Sequence, residues 1–396
     1  MFRSIKSKIL AVVAVTLLTS TVAVLFLFQG MAGRNVQVTT EQAIRNSTEA
    51  FGNMRQSSIN MMTASIQALA GDDRIGAALA AGDRPGLLAL CQPLYQSFHE
   101  KYGVTHWNFW LPEKPGEGSV KGLVNFLRVA TPTRYGEFLE RVTLARAVQT
   151  KDYVEGLDLG NTGYALRVIH PVYHDRKLCG YFEIGTDIAS FLESMKRQSG
   201  NEYGLLLQKD KLDAKKWESS RTSRNQRDNW NDMPDLVLAQ NTTQSDDIFA
   251  YHGSLETVSD QGQSLGLLQK NGQVYTRGAF ALHDASGARV GAVFVLRDIT
   301  AMYRETKAAE EKAVAVLLGL MLLSGAGMVL LFDRLIVVRL SRLIRVATRV
   351  VGGDFETRVE VTSRDEIGRF ESLFEQFRAL FVGVVKELDQ NQRRAA

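Results

Sequence analysis

Two arginines, Arg128 and Arg167, stand inside apolar, strand-like runs (Leu123–Val129 and Tyr164–Tyr173), where a fixed charge needs a partner. Planar guanidinium forks in such places can hold a carboxylate or similar anionic group of a small molecule. Internal ion pairs produce the same pattern, and Glu183 and Asp187, in the run Leu178–Asp187, are the obvious partners. Trp107, Phe109 and Trp110 could wall an apolar pocket. Strand alternation sends Trp107 and Phe109 to one face and Trp110 to the other, and core packing explains both faces equally well. His170, beside Pro171, reads as a structural histidine rather than a ligand contact. The candidate ligand contacts are therefore Arg128, Arg167, Trp107, Phe109, Trp110, Glu183 and Asp187.

Enzyme signatures do not appear. There is no Gly-Lys-Ser/Thr phosphate loop, no Gly-x-Ser-x-Gly elbow and no His-Glu-x-x-His zinc helix, so no catalytic residue and no cofactor is expected. Only Cys91 and Cys179 occur; whether they pair is not legible, and no cysteine–histidine cluster suggests a metal. A net charge of +4 over 396 residues, with arginines concentrated beside apolar runs, does not suit a nucleic-acid binder.

The elements that must carry the candidate residues follow from periodicity. Val36 to about Leu69 has apolar residues at three- and four-residue steps and reads as one long helix, with shorter helices at Arg74–Ala81 and Pro85–Tyr102. Strands are expected at Thr105–Leu111, Leu123–Val129, Tyr153–Leu159, Tyr164–Tyr173 and Leu178–Asp187, with a turn over Pro112–Gly122 and a helix over Gly136–Val148. Phe191–Gln198 reads as a connecting helix and Lys209–Asn231 as a polar insertion. A second sheet is expected from Tyr203–Gln208, Phe249–Tyr251, Ser264–Leu268, Gln273–Leu282 and Arg289–Asp298, with a short helix and loop within Pro234–Asp247. Helices followed by an antiparallel sheet, twice over, give an α+β, tandem PAS-like order.

Two uncharged runs bracket this region. Ile9–Phe28 follows Arg3, Lys6 and Lys8; it is too long for a signal-peptide core, and Gln29-Gly30-Met31-Ala32-Gly33 is a poor cleavage context. Ala313–Phe332 is followed by Arg334, Arg339, Arg342, Arg345 and Arg349. About 20 apolar residues cover a bilayer core, and basic flanks mark the cytoplasmic side. The expectation is a two-pass inner-membrane protein with both termini cytoplasmic and the middle exported. Its parts are a cytoplasmic N-terminus (1–8), a first span (9–28), a stalk helix and membrane-distal module (33–188), a membrane-proximal module with exit helix (189–312), and a second span (313–332). A helical coiled-coil module (334–388) and a tail (389–396) complete it.

Beyond the second run, Ile336, Leu340, Leu343, Ala347 and Val350 form a heptad seam that Gly352-Gly353-Asp354 breaks. Phe355 and Val359 mark a connector, and Asp365-Glu366-Ile367-Gly368 opens a second amphipathic helix reaching Leu388. This layout resembles the HAMP signal-relay module, with Leu340, Leu343, Gly353, Phe355, Val359, Asp365, Glu366 and Gly368 as relay residues. Arg339 stands where the family usually has proline. A generic juxtamembrane coiled coil is the plainer alternative. The resemblance implies a homodimer, because two copies make the four-helix bundle.

The exported region resembles a double Cache sensor of the third subtype. The residues that carry this are Phe109-Trp110-Leu111-Pro112, Phe126-Leu127-Arg128, Pro132 with Tyr135-Gly136, Gly156-Leu157-Asp158-Leu159-Gly160, Gly163 with Leu166-Arg167, Pro171-Val172 and Gly180-Tyr181-Phe182-Glu183-Ile184-Gly185. Trp110 replaces a histidine common in the family, and the Arg-x-Trp-Tyr run of amino-acid sensors does not occur. The resemblance implies a chemotaxis or two-component receptor that binds an extracytoplasmic small molecule and signals through HAMP to a separate cytoplasmic or membrane partner. A scaffold or co-receptor gripping a periplasmic protein, or the sensory part of a chemoreceptor, kinase or diguanylate cyclase, are the alternatives.

Overall fold

The computed structural model describes residues 5–112, 123–160 and 163–395, and the chain divides into two compact units. One comprises Gly33–Arg304; the other comprises Met1–Ala32 and Glu305–Ala396.

The larger unit begins within the long helix α1 (Ile5–Ala70), as the periodicity requires. Helices α2 (Asp73–Ala81) and α3 (Arg84–Tyr102) follow. Asp72 and Asp83 cap their first turns by accepting from Arg74 N and Gly86 N, and Gly82 and Gly103 end them in the left-handed region. The distal sheet contains β1 (His106–Pro112), β2 (Leu123–Arg128) and β3 (Phe138–Leu139). After helix α4 (Val142–Thr150) come β4 (Val154–Gly160), β5 (Gly163–His174) and β6 (Lys177–Asp187). It is antiparallel in the order β3-β2-β1-β6-β5-β4. Helix α5 (Ile188–Ser199) leads to the proximal sheet of β7 (Glu202–Gln208), helix α6 (Ala214–Ser223), β8 (Leu236–Asn241), β9 (Gln263–Lys270), β10 (Gln273–His283) and β11 (Arg289–Asp298). Its strand order is β8-β7-β11-β10-β9.

Helix α1 lies against both sheets. Phe51, Ile59, Met62 and Ile66 belong to one apolar core with Trp107, Phe109, Phe182 and Ile184 of the distal sheet and Leu205, Phe280 and Val293 of the proximal one. Each such side chain contributes about 1.5–3 kcal/mol of burial, so the stretch Phe51–Ile66 of the helix is bound to two sheets at once. Close contact needs glycine at Gly278, where a Cβ would collide with the Ile44 side chain.

Three expectations change. The segment Gly136–Val148 is not helical at its start: Phe138–Leu139 pairs with β2 at Leu123 and Val124, and α4 begins only at Val142. Pro234–Asp247, expected as helix and loop, contains β8, because Leu236, Val237 and Leu238 are buried as a partner to β7. Phe249–Tyr251 is not a strand; a 3-10 turn at Asp246–Phe249 drops the Phe249 ring onto Gly204. The turn expected over Pro112–Gly122 lies outside the described residues beyond Pro112. Cys91 and Cys179 are free thiols.

Helix α7 (Thr300–Phe332), whose first turn belongs to the larger unit, passes in the smaller one through a π-helical turn (Asp333–Val337) into α8 (Val338–Val351), and α9 (Glu366–Ala395) follows the connector. Among the described residues, one helix is long and apolar enough to cross a membrane, within Thr300–Val351; Ala11–Phe26 is a shorter apolar helix. Thr21 Oγ1 donates to Met321 Sδ at 3.4 Å, so the two apolar helices touch.

Candidate functional site

The face of the distal sheet turned away from α1 carries an unusual number of polar groups. Alternation puts Asn108 and Trp110 of β1, Tyr181 and Glu183 of β6, and Arg167 and Ile169 of β5 on it. Asn108 and Glu183 are direct cross-strand partners, and Asn108 Nδ2 donates to Glu183 Oε1 at 3.1 Å. Arg167 stands opposite Gly185, one diagonal step from Glu183, and its Nη1 donates to the same Oε1. A Cβ on Gly185 would lie 3.3 Å from both Arg167 Cγ and His106 Cβ, so glycine leaves room for these two larger side chains.

A second arginine completes the cluster. Arg141, the residue before α4, donates from Nη2 to Glu183 Oε2 at 2.7 Å and sits over the Trp110 ring at 5.0 Å. Glu183 is fully buried; Arg167 and Arg141 are 3% and 8% exposed. Burial pushes the Glu183 carboxyl up, but Arg141 and Arg167 together outweigh it and hold the group well below the usual carboxylate range. Asp158 on β4 accepts from Thr143 N at 3.0 Å and from Thr143 Oγ1, capping α4 beside the cluster.

Several groups around this triad lack hydrogen-bond partners among the described residues. They are Trp110 Nε1, both side-chain atoms of Asn125, Arg141 Nε and Arg167 Nε. Asn125 is the cross-strand partner of Trp110, and both are 1% exposed, so the unsatisfied groups share one patch. Buried polar groups are satisfied in the great majority of cases, so this concentration of donors and acceptors calls for a further partner, water included.

The predicted contacts are thus only partly brought together. Arg167, Glu183 and Trp110 meet in the patch. Asp187 instead bonds His106 Nε2 at 3.0 Å, and burial, with Arg167 and against Asp187, lowers the pKa of that histidine. Arg128 stands opposite Asn108 on the same face, but Glu137 takes its charge, with Arg128 Nη2 donating to Glu137 Oε2 at 2.8 Å. Trp107 and Phe109 lie on the α1 side: Phe182 stacks on Phe109 with centroids 4.5 Å apart and tilts against Trp107 at 5.2 Å. They are core. Arg141 and Asn125 were missed. A faint signal existed for Arg141, since a cation at a helix N-terminus opposes the dipole and implies a tertiary partner.

Two family models match the chain. One, described as the double sensory domain of two-component sensor kinases, covers residues 40–303. The chain belongs to this double Cache family. The second, the HAMP domain, covers 334–378. Among solved structures, the double Cache chain is similar to the periplasmic domain of Vibrio cholerae LuxQ. Identity there is 10%, coverage is 66% of this chain and 99% of that one, and the TM-score is 0.35. It is also similar to the sensory domain of the Campylobacter jejuni chemoreceptor Tlp3 with isoleucine bound (11% identity, 69% and 96% coverage, TM-score 0.34). A comparison with curated proteins finds no match.

The HAMP residues have defined places. Leu343, Val346 and Val359 form a small core with Phe374 and Ile367 against it, while Leu340 stays exposed. Gly353 adopts φ 94°, which turns the chain out of α8. Phe355 packs its ring 5.9 Å from Phe381. Asp365 accepts from Gly368 N at 2.9 Å and caps α9, whose first residue is Glu366. Arg339 bonds Asp365 Oδ2 and Ser363 Oγ, each at 2.9 Å. Where the family has proline, this chain ties α8 to the far end of its connector.

Proposed function

We propose that this double Cache protein is a two-pass membrane receptor that binds a small extracytoplasmic molecule on the polar face of its distal sheet. It acts as a homodimer, carries out no catalysis of its own, and passes the signal through HAMP to a separate partner. The observation that carries the reading is the buried patch around Glu183, where Trp110 Nε1, Asn125 and Arg141 Nε have no partner among the described residues. Indole N–H, amide N–H and guanidinium N–H are donors, so a ligand offering carboxylate or carbonyl oxygens suits them.

Homodimerisation is supported by the seam of α9, where Phe370, Phe377 and Val384 are exposed in the single chain although they recur at heptad spacing. Membrane insertion at both ends is supported by outward-facing apolar residues, such as Val12 and Leu18 on α1 and Leu322 and Leu323 on α7. A shared α1 core gives the distal patch a route to the proximal module, and a ligand that prefers one packing shifts the population toward it.

The test is thermal unfolding of the full chain in detergent against a panel of carboxylates, amino acids, amines, sugars and nucleobases. A ligand at a hundred times its Kd adds about 2.7 kcal/mol, several degrees here. The hit should vanish in Trp110→Phe and Asn125→Ala and persist in Arg128→Ala. Persistence in the first two variants removes the site, and a silent panel removes the small-molecule reading in favour of a protein partner.

A further inference from the structure

A cavity of ≈ 400 Å³ opens between the two modules of the sensory unit, away from the partnerless groups of Trp110 and Asn125. The distal module supplies Phe138, Arg141 and Tyr164; the proximal module supplies Trp217, Arg221 and Gln240. The modules meet directly around it. Ala285 N donates to Leu157 O at 2.7 Å, Arg146 Nη1 donates to Ala285 O at 2.8 Å, and Gly163 faces Gln240. Its size is that of ordinary small-molecule sites.

Its lining carries the cations Lys216, Arg221 and Arg224, together with Arg141, which is already paired with Glu183, and the acids Glu140 and Asp213. Asp213 is already engaged, accepting from Lys216 N at 2.9 Å as the cap of α6. Lys216 and Arg221 form no ion pair among the described residues. Burial lowers the pKa of Arg221, with Asp246 only partly opposing it. Arg221 is nevertheless held in place: its Nε donates to Arg227 O at 2.9 Å, and its guanidinium lies 5.8 Å from the Trp217 ring centroid. Trp217 is fixed in turn by Nε1 donating to Asn229 Oδ1 at 3.2 Å, and Asn229 is buried and bonded to Leu238 O. The Gln240 Oε1 atom is buried without a hydrogen-bond partner among the described residues. Leu205 and Leu212 supply an apolar floor.

Lys216, the held guanidinium of Arg221, a tryptophan, a tyrosine and leucines in one lining fit an anion with a flat apolar body. We infer that this intermodule cavity is a second binding site, distinct from the distal patch, and that it takes aromatic carboxylates. The carboxylate pairs with Lys216 and Arg221, and the ring lies against Trp217 and Tyr164. A ligand held by both modules fixes their mutual arrangement, so occupancy tunes how the distal site signals.

Benzoate and phenylacetate are the probes, titrated into the full chain in detergent by calorimetry and by tryptophan fluorescence, with benzyl alcohol as the uncharged control. Saturable binding of at least one carboxylate is expected, with none from benzyl alcohol over the same range. The double variant Lys216→Gln/Arg221→Gln should weaken it about tenfold or more, as loss of charge-assisted bonds implies. Trp110→Phe should leave it unchanged. Lys216→Glu alone, at an exposed position, should weaken it in the same direction and serves if the double variant fails to fold. The inference is overturned if neither carboxylate binds up to about 10 mM, a free energy near −2.7 kcal/mol, or if benzyl alcohol binds as well. It is also overturned if binding survives loss of Lys216 and Arg221 but not Trp110→Phe, a result that would assign the ligand to the distal patch instead.

Discussion

Removing the Glu183 carboxylate should be among the most damaging single changes in the sensory unit. The group is fully buried and accepts from Arg141, Arg167 and Asn108. In Glu183→Gln one oxygen remains, but the new amide N–H groups face guanidinium donors, and two buried cations lose their counter-charge. Breaking a buried pair in this way costs about 3–5 kcal/mol. For a unit of this size each kcal/mol moves the melting temperature by about 2–4 °C, so a fall of roughly 6–20 °C is expected. Tryptophan fluorescence of the full chain in detergent would follow it, since Trp107 and Trp110 lie in the distal module. The triple variant Glu183→Leu/Arg141→Leu/Arg167→Met removes all three charges and should recover most of the loss, because apolar replacement of a whole buried cluster is often neutral. Wild-type melting should also change little between about 0.1 and 1 M salt, since buried pairs are poorly screened. A Glu183→Gln protein melting within about 2 °C of wild type would refute this account; it would mean water reaches the cluster and carries its charge.

Acid should destabilise the sensory unit in two stages. His106, which faces Asp187, Arg167 and Glu183, has its pKa lowered, so the unfolded chain takes up a proton as pH falls below 6.5 and stability drops; Glu183, also lowered, adds a steeper loss below 4.5. Melting temperature against pH should show both limbs, and His106→Gln should flatten only the upper one. In HAMP, a Cβ on Gly368 would collide with Ser363 O, so Gly368→Ala should displace the connector at a cost of about 1–3 kcal/mol. Faster tryptic cleavage at Arg358 and Arg364 would report it; unchanged cleavage would count against the turn. For topology, a chain with Cys91 and Cys179 changed to serine and carrying Asn225→Cys should react with an impermeant maleimide in intact cells. Arg358→Cys should react only after lysis, and the reverse pattern would overturn the two-pass arrangement.

Much of the fold was legible because it follows from local periods. The three- and four-residue steps of Val36–Leu69 belong to a helix wherever it packs, and the heptad seam around Leu343 with the Gly353 break gives HAMP its outline. The strands Tyr164–Tyr173 and Leu178–Asp187 follow as well, and the structure joins them through a two-residue turn in which Asp175 and Arg176 adopt positive φ (47° and 61°). Segments whose identity depends on a distant partner were not legible. Leu236–Asn241 becomes a strand only because β7 offers an unpaired edge, and Phe138–Leu139 only because β2 does.

The site divides along the same line. Sequence alone marked Arg167 and Glu183, because a charge inside an apolar strand must find an opposite one, and it separated Trp110 from Trp107 and Phe109 by alternation. It gave Arg128 the same weight as Arg167, since both sit in similar strands; only tertiary structure sent Arg128 to Glu137 and brought Arg141 from the start of α4 to the carboxylate. The intermodule cavity had no local signature at all. Its walls come from residues 138–164 and 205–240, and no pattern within either stretch encodes that they face one another across the same space.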